Sequence, residues 1–281
     1  MTLFVKFLAG LIIGIANVIP GVSGGTIAVI LGAYEDLLTL TSFNFKKIFV
    51  ERKLLSFFVV GLLTGVLIFA KLITIAYERF PIYTNFFFTG IILGSIPMLY
   101  KLIKYSSTEK STKIQCIKIL LCLLSFALML ILFFAKKDVG TIQNKIITVD
   151  FKQSVILFFV GIIGSIAMLI PGLSGSFVLL ILGYYSSVIS AVSSFNIPLL
   201  FVFGLGVLFG LFLASKLLMY VLEKYAHIAY SAILGLVLGS LLQVIPLERQ
   251  SPMGFFISGF FMLAGIGLIL FFTQLRGKAT A

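Results

Sequence analysis

The polar and apolar positions along the chain fall into long blocks, without the two-residue alternation of half-buried strands. Apolar runs extend approximately over residues 3–40, 54–76, 86–99, 117–135, 155–192, 199–222, 228–245 and 255–272, separated by short segments that carry most of the charge. Runs of this length and composition predict membrane-embedded helices, and their lack of alternation argues against a lipid-embedded barrel. Two runs are too long for one span. A straight helix over 3–40 would measure roughly 55 Å, against about 30 Å of hydrocarbon. Each of these two runs contains helix-breaking residues near its middle: Ile19-Pro20-Gly21-Val22-Ser23-Gly24-Gly25 in the first, Ile170-Pro171-Gly172-Leu173-Ser174-Gly175-Ser176 in the second. Proline removes a backbone donor, glycine opens conformations closed to other residues, and broken backbone survives in lipid only where protein or a watery cavity satisfies it. Both runs are therefore expected to fold back as re-entrant helical hairpins, over about 3–40 and 155–192.

The two motifs belong to a longer internal repeat. Ile30-Leu31-Gly32-Ala33-Tyr34 returns as Ile181-Leu182-Gly183-Tyr184-Tyr185. Gly61, Gly65, Lys71, Glu78 and Arg79 correspond to Gly206, Gly210, Lys216, Glu223 and Lys224, and Gly90 to Ser95 corresponds to Gly235 to Ser240. Three ordered blocks sharing glycines and charges predict a duplication, with one repeat over residues 1–140 and a second over 150–281. A hairpin plus three transmembrane helices is an odd number of crossings, so the second repeat would be inverted. That arrangement also gathers most lysines and arginines on one membrane face, as the positive-inside rule requires; full crossings at both broken runs would leave almost no bias. The expected fold is an all-α polytopic membrane protein of two inverted-topology repeats.

Composition agrees. The 281 residues are 60% hydrophobic and 11% charged, and the mean hydropathy is +1.22. The net charge of +12 is explained by basic loops at a membrane surface, so no nucleic-acid partner is expected. Cys116, Cys122 and the single histidine, His227, form no metal or redox spacing, and neither a catalytic constellation nor a cofactor is expected.

The candidate chemistry lies at the broken runs. A helix start leaves backbone N–H groups free and carries partial positive charge, which suits a phosphate. Ser23 and Ser174 are placed to cap such starts, Gly24, Gly25 and Gly175 would let an anion approach the backbone, and Thr26 and Ser176 add hydroxyls. Pro20, Gly21, Pro171 and Gly172 make the breaks. The competing reading is close helix packing through small residues. Lys71 and Lys216 are ionisable residues within apolar helices, either binding an anion or snorkelling to the interface. Glu78 and Glu223 follow two turns later with Arg79 or Lys224 beside them, and Glu78, Glu223 and Arg79 are candidates for ion or proton coupling. Asn17 ranks lower, because Met168 occupies the matching place.

Gly14 to Thr26, followed by Leu31-Gly32-Ala33-Tyr34-Glu35, closely resembles the bacterial and archaeal polyprenyl-phosphate transporter family known as PopT, and the resemblance covers essentially the whole chain. It implies a translocase in the bacterial plasma membrane, whose partners are the bilayer and a polyprenyl-phosphate lipid. That protein would return undecaprenyl phosphate from the outer to the inner leaflet for cell-wall precursor synthesis. An oligomer is compatible with the pattern. The alternatives are an undecaprenyl-diphosphate phosphatase-like enzyme and an anion or ion channel. Phosphatases with a related Pro-Gly-x-Ser motif continue with an arginine, where this chain has Gly24 and Gly175. In-line attack on a phosphoryl group then lacks its parts.

Overall fold

The computed structural model describes residues 3–18, 23–106, 111–137, 150–246 and 251–280. Pro20 and Gly21 lie outside them, as does the side chain of Lys71. Among the described residues every regular element is an α-helix: α1 (Leu3–Val18), α2 (Gly24–Leu31), α3 (Tyr34–Thr41), α4 (Phe45–Val50), α5 (Arg52–Arg79), α6 (Pro81–Tyr105), α7 (Thr112–Lys137), α8 (Phe151–Leu169), α9 (Gly175–Ile181), α10 (Tyr185–Ser193), α11 (Ile197–Val244) and α12 (Pro252–Thr280).

Local chemistry sets several of the boundaries. The Asp150 carboxylate accepts the Gln153 N–H at 2.6 Å to start α8, and Asn196 accepts the Leu199 N–H at 3.3 Å to start α11. Proline stands in the first turn of α6 and of α11, where its missing N–H costs nothing. Gly32 (φ 61°) ends α2 and Gly183 (φ 77°) follows α9, both left-handed. The part of each long run after its break is thus two short helices joined at a glycine, rather than the single helix the sequence suggested. α11 is two arms in succession, 197–224 and 226–244, broken at Tyr225 (φ −132°, ψ 39°).

Five of the described helices are long and apolar enough to cross a membrane: Pro81–Tyr105, Thr112–Ala135, Phe151–Leu169, Ile197–Val244 and Pro252–Phe271. α7 shows why such a chain needs lipid. Ile119, Leu120, Leu123, Ile131 and Phe134 are all exposed along it, and so much apolar surface on one helix has no place in water.

Glycines set the helix contacts. A Cβ on Gly61 of α5 would lie 2.1 Å from the Phe7 carbonyl oxygen of α1, and one on Gly206 of α11 would lie 2.1 Å from the Phe158 carbonyl oxygen of α8. Gly61 and Gly206 are repeat partners, and Phe7 and Phe158 stand 151 residues apart, the spacing of Pro20 and Pro171. The other helices pair across the chain. Gly90 of α6 meets the Met262 carbonyl oxygen of α12, at 2.0 Å from its would-be Cβ, and Gly235 of α11 meets that of Cys122 in α7, at 2.1 Å. Each half of the chain thus closes on the last helix of the other. The main core forms where they meet, around Ile13, Ile27, Ile30, Leu38, Phe58 and Val237. Every residue of α2 is buried in it, whereas only Phe177 of α9 is buried.

Candidate functional site

The start of α2 and the Ile170–Ser174 break meet in the interior. The Thr26 hydroxyl oxygen accepts the backbone N–H of Gly172 at 2.7 Å, joining residues 146 apart in the chain. Gly172 has φ +90°, and a Cβ on it would lie 2.7 Å from Leu236; only glycine meets both demands. One residue before Thr26, a Cβ on Gly25 would lie 2.8 Å from the Leu169 carbonyl oxygen. That same carbonyl accepts the Tyr34 hydroxyl at 2.9 Å. The C-terminal end of α8, the break after it, and the first turn of α2 therefore form one packed junction.

Ser23 precedes α2 with extended backbone (φ −90°, ψ 121°), and its carbonyl accepts the Ile27 N–H at 3.3 Å. Its position is that of a cap, but its side chain makes no capping bond. The Ser23 hydroxyl is buried and has no hydrogen-bond partner among the described residues. Leaving such a group unpaired costs about 1–3 kcal/mol, which a ligand could return. A Cβ on Gly24 would fall 2.1 Å from the Asn17 amide oxygen, so the side chain ranked low in the sequence lies directly against the helix start. In the second motif, Gly175 faces the Gly164 carbonyl oxygen at 2.7 Å from its would-be Cβ and Met168 at 3.3 Å. Asn17 and Met168 thus hold matching positions with different chemistry. Ser174 also makes no cap; its hydroxyl pairs with that of Ser176 at 2.7 Å.

The candidate lysine described here stands elsewhere. Lys216 is exposed, with its ammonium 4.2 Å from the centre of the Phe212 ring. It lines a cavity of about 460 Å³ with Ser42, Asn44, Tyr220 and Glu223. Lys216 and Glu223 share this cavity, as their two-turn spacing predicts, but no serine of either motif lines it. Glu78 and Arg79 are exposed at the end of α5.

Two features escaped the sequence reading. Lys6 of α1 and Asp36 of α3 form a buried ion pair, the only one among the described residues. Its signal was two charges inside one apolar run. The matching positions of the second half are Leu157 and Ser187, so the pair belongs to the first half alone. The other is a further repeat block, Ser42-Phe43-Asn44 and Ser194-Phe195-Asn196. Both phenylalanines have φ 50°, and both asparagines cap the helix that follows.

An all-helical polytopic membrane protein, with broken helices packed together in its interior, is the class these features define. Residues 13–254 match the model of the VCA0040-like family, described as undecaprenyl phosphate translocase-like. The chain belongs to that family. It is 31% identical over 283 residues to a polyprenyl-phosphate transporter of Staphylococcus aureus, covering 95% of this chain and 96% of the relative. It is 31% identical over 257 residues to a polyprenyl-phosphate transporter of Vibrio cholerae, covering 85% of this chain and 77% of the relative. These relatives are named as transporters and not as enzymes. No solved structure matches the chain.

Proposed function

We propose that this protein moves polyprenyl phosphate across the bacterial plasma membrane, returning the lipid carrier from the outer to the inner leaflet for cell-wall precursor synthesis. The family and the relatives' names support the substrate class. The observation that carries a head-group site is the buried Ser23 hydroxyl, without a partner among the described residues, at the start of α2, a helix sunk entirely in the core. There a phosphate would meet free N–H groups, partial positive charge and an idle hydroxyl donor, with the Asn17 amide beside them. Gly24, Gly25 and Thr26 line the approach, and Leu169 and Gly172 close against it from the other half, while the Ser174 and Ser176 hydroxyls pair with each other beyond it.

Two repeats, over 1–140 and 150–281, account for the matching contacts of Gly61 and Gly206. Inverted repeats exchange conformations to open a midplane site to one side and then the other. The prenyl chain stays in hydrocarbon meanwhile, so only the phosphate needs protein ligands. Lys216 and Glu223, with Glu78 and Arg79 in the matching half, serve the entrances or coupling rather than the central junction.

Transport of undecaprenyl phosphate between proteoliposome leaflets, with phosphate release from the diphosphate assayed alongside, tests this reading. Wild type is expected to move the monophosphate without hydrolysis. Ser23→Ala is expected to slow transport about tenfold or more while the protein stays folded, the loss of one charge-assisted hydrogen bond being worth about 1.5–3 kcal/mol. Hydrolysis by wild type, or full transport by Ser23→Ala, would overturn it.

A further inference from the structure

Outside the junction, α6, α7 and the second arm of α11 enclose a trough of about 730 Å³. On α7, Gln115, Lys118, Ile119 and Cys122 recur at helical spacing and line one wall. Tyr100 and Lys104 line the opposite wall from the last turns of α6, and Leu234 closes the floor. Polarity is divided along its length. Lys104, near the end of α6, and Gln115 and Lys118, near the start of α7, stand close to the ends where those helices connect; Cys122 and Leu123 lie deeper along α7, with Leu234 of α11 at the level of Cys122. Two cations at the mouth and an apolar lane behind them fit an anionic head with a hydrocarbon tail.

The trough also leads somewhere. Met129 lies seven residues beyond Cys122, about 10 Å further along α7. It is fully buried and clusters with Leu236 and with Leu173 of the Pro-Gly-Leu-Ser break. The deep end of the trough is thus two helical turns from the packed junction.

We infer that this trough is a lateral portal, in which a single-chain lipid carrying a phosphate monoester is held by Lys104 and Lys118 before it reaches the junction. This rests on the transport reading above and adds the place and chemistry of lipid entry or exit. Charge favours that occupant. A phosphate monoester carries about −1.5 to −2 at neutral pH and has three free oxygens to engage Lys104 and Lys118 together, whereas the diester of phosphatidylglycerol carries a single charge.

Cys122 provides a reporter inside the trough, once the exposed Cys116 is replaced by serine. Full-length Cys116→Ser protein, in nanodiscs of zwitterionic lipid, is alkylated with N-ethylmaleimide while undecaprenyl phosphate, phosphatidylglycerol or inorganic phosphate is titrated in. At a concentration ten times its Kd, undecaprenyl phosphate is expected to slow alkylation about tenfold, and Lys104→Gln/Lys118→Gln to cut this to about twofold or less. The other two probes are expected to leave the rate unchanged. Leu123→Trp, on an exposed position, fills the lane and is expected to lower both protection and transport. Ser23→Ala is expected to keep protection while losing transport, which separates the portal from the junction.

Equal protection by phosphatidylglycerol would overturn the assignment in favour of a general anionic-lipid surface, and protection by inorganic phosphate would remove the role of the chain. Unchanged protection in the double-lysine variant would overturn the role of the lysines. Wild type that transports undecaprenyl phosphate without protecting Cys122 would overturn the portal alone. Wild type that does neither would overturn the transport reading with it.

Discussion

Lys6 and Asp36 place two full charges in an interior otherwise filled by isoleucine, leucine and phenylalanine. A buried pair of this kind adds little net stability over an apolar substitute, but removing one partner strands the other. Lys6→Ala is therefore expected to destabilise the protein by about 3–5 kcal/mol, measured by denaturant titration in detergent. The double variant Lys6→Leu/Asp36→Ser installs the residues found at the matching positions of the second half and is expected to recover most of that loss. Transport by the double variant then tells whether the pair serves the working cycle or only the packing. The sequence displayed both charges but not their partnership. They are thirty residues apart with a helix break between them, and no helical spacing connects them. The Ser23 hydroxyl escaped in a different way: its position before a helix start was legible, but its lack of a partner depends on what packs around it.

At the scale of the helix, the two halves use glycine in the same way. Gly206 leaves room for the Phe158 carbonyl, whereas Gly204, two residues earlier on the same helix, has open space where its Cβ would stand. Gly206→Ala is expected to push α8 and α11 apart and cost about 1–3 kcal/mol. Gly204→Ala is expected to be neutral or to stabilise by about 0.5–1 kcal/mol, by favouring the helix. Thermal unfolding of the two variants side by side checks the contrast, and equal effects would show that the glycines act through helix propensity rather than through contact. Much at this scale was readable from the chain: the apolar runs, the break before α2 and α9, and the glycines shared by the repeats. The Ser-Phe-Asn block was missed for a simple reason. Its offset is 152 residues, between blocks that match at 151 and 145, so neither register brings it into line. The glycine that follows α2 and α9 was visible as part of Ile-Leu-Gly, but its left-handed conformation decides whether the helix bends or continues, and that depends on packing.

For the whole molecule, the pairings of α6 with α12 and of α7 with the second arm of α11 matter most. A repeat in sequence says which residues are equivalent; it does not say which become neighbours. Two self-contained bundles and two interlocked ones would share the same pattern. In the interlocked arrangement, residues 1–140 and 150–281 expressed as separate chains are each expected to be degraded, while co-expression is expected to yield a complex that purifies together and transports. Stable, monodisperse halves would contradict it. The same interlocking bears on how the protein is made. Gly90 and Gly94 are made 172 residues ahead of Met262 and Ile266, which stand on the helix that covers them. Until α12 arrives that face stands uncovered in the bilayer, open to insertion chaperones and membrane proteases, and a chain stalled before α12 carries its own mark for removal.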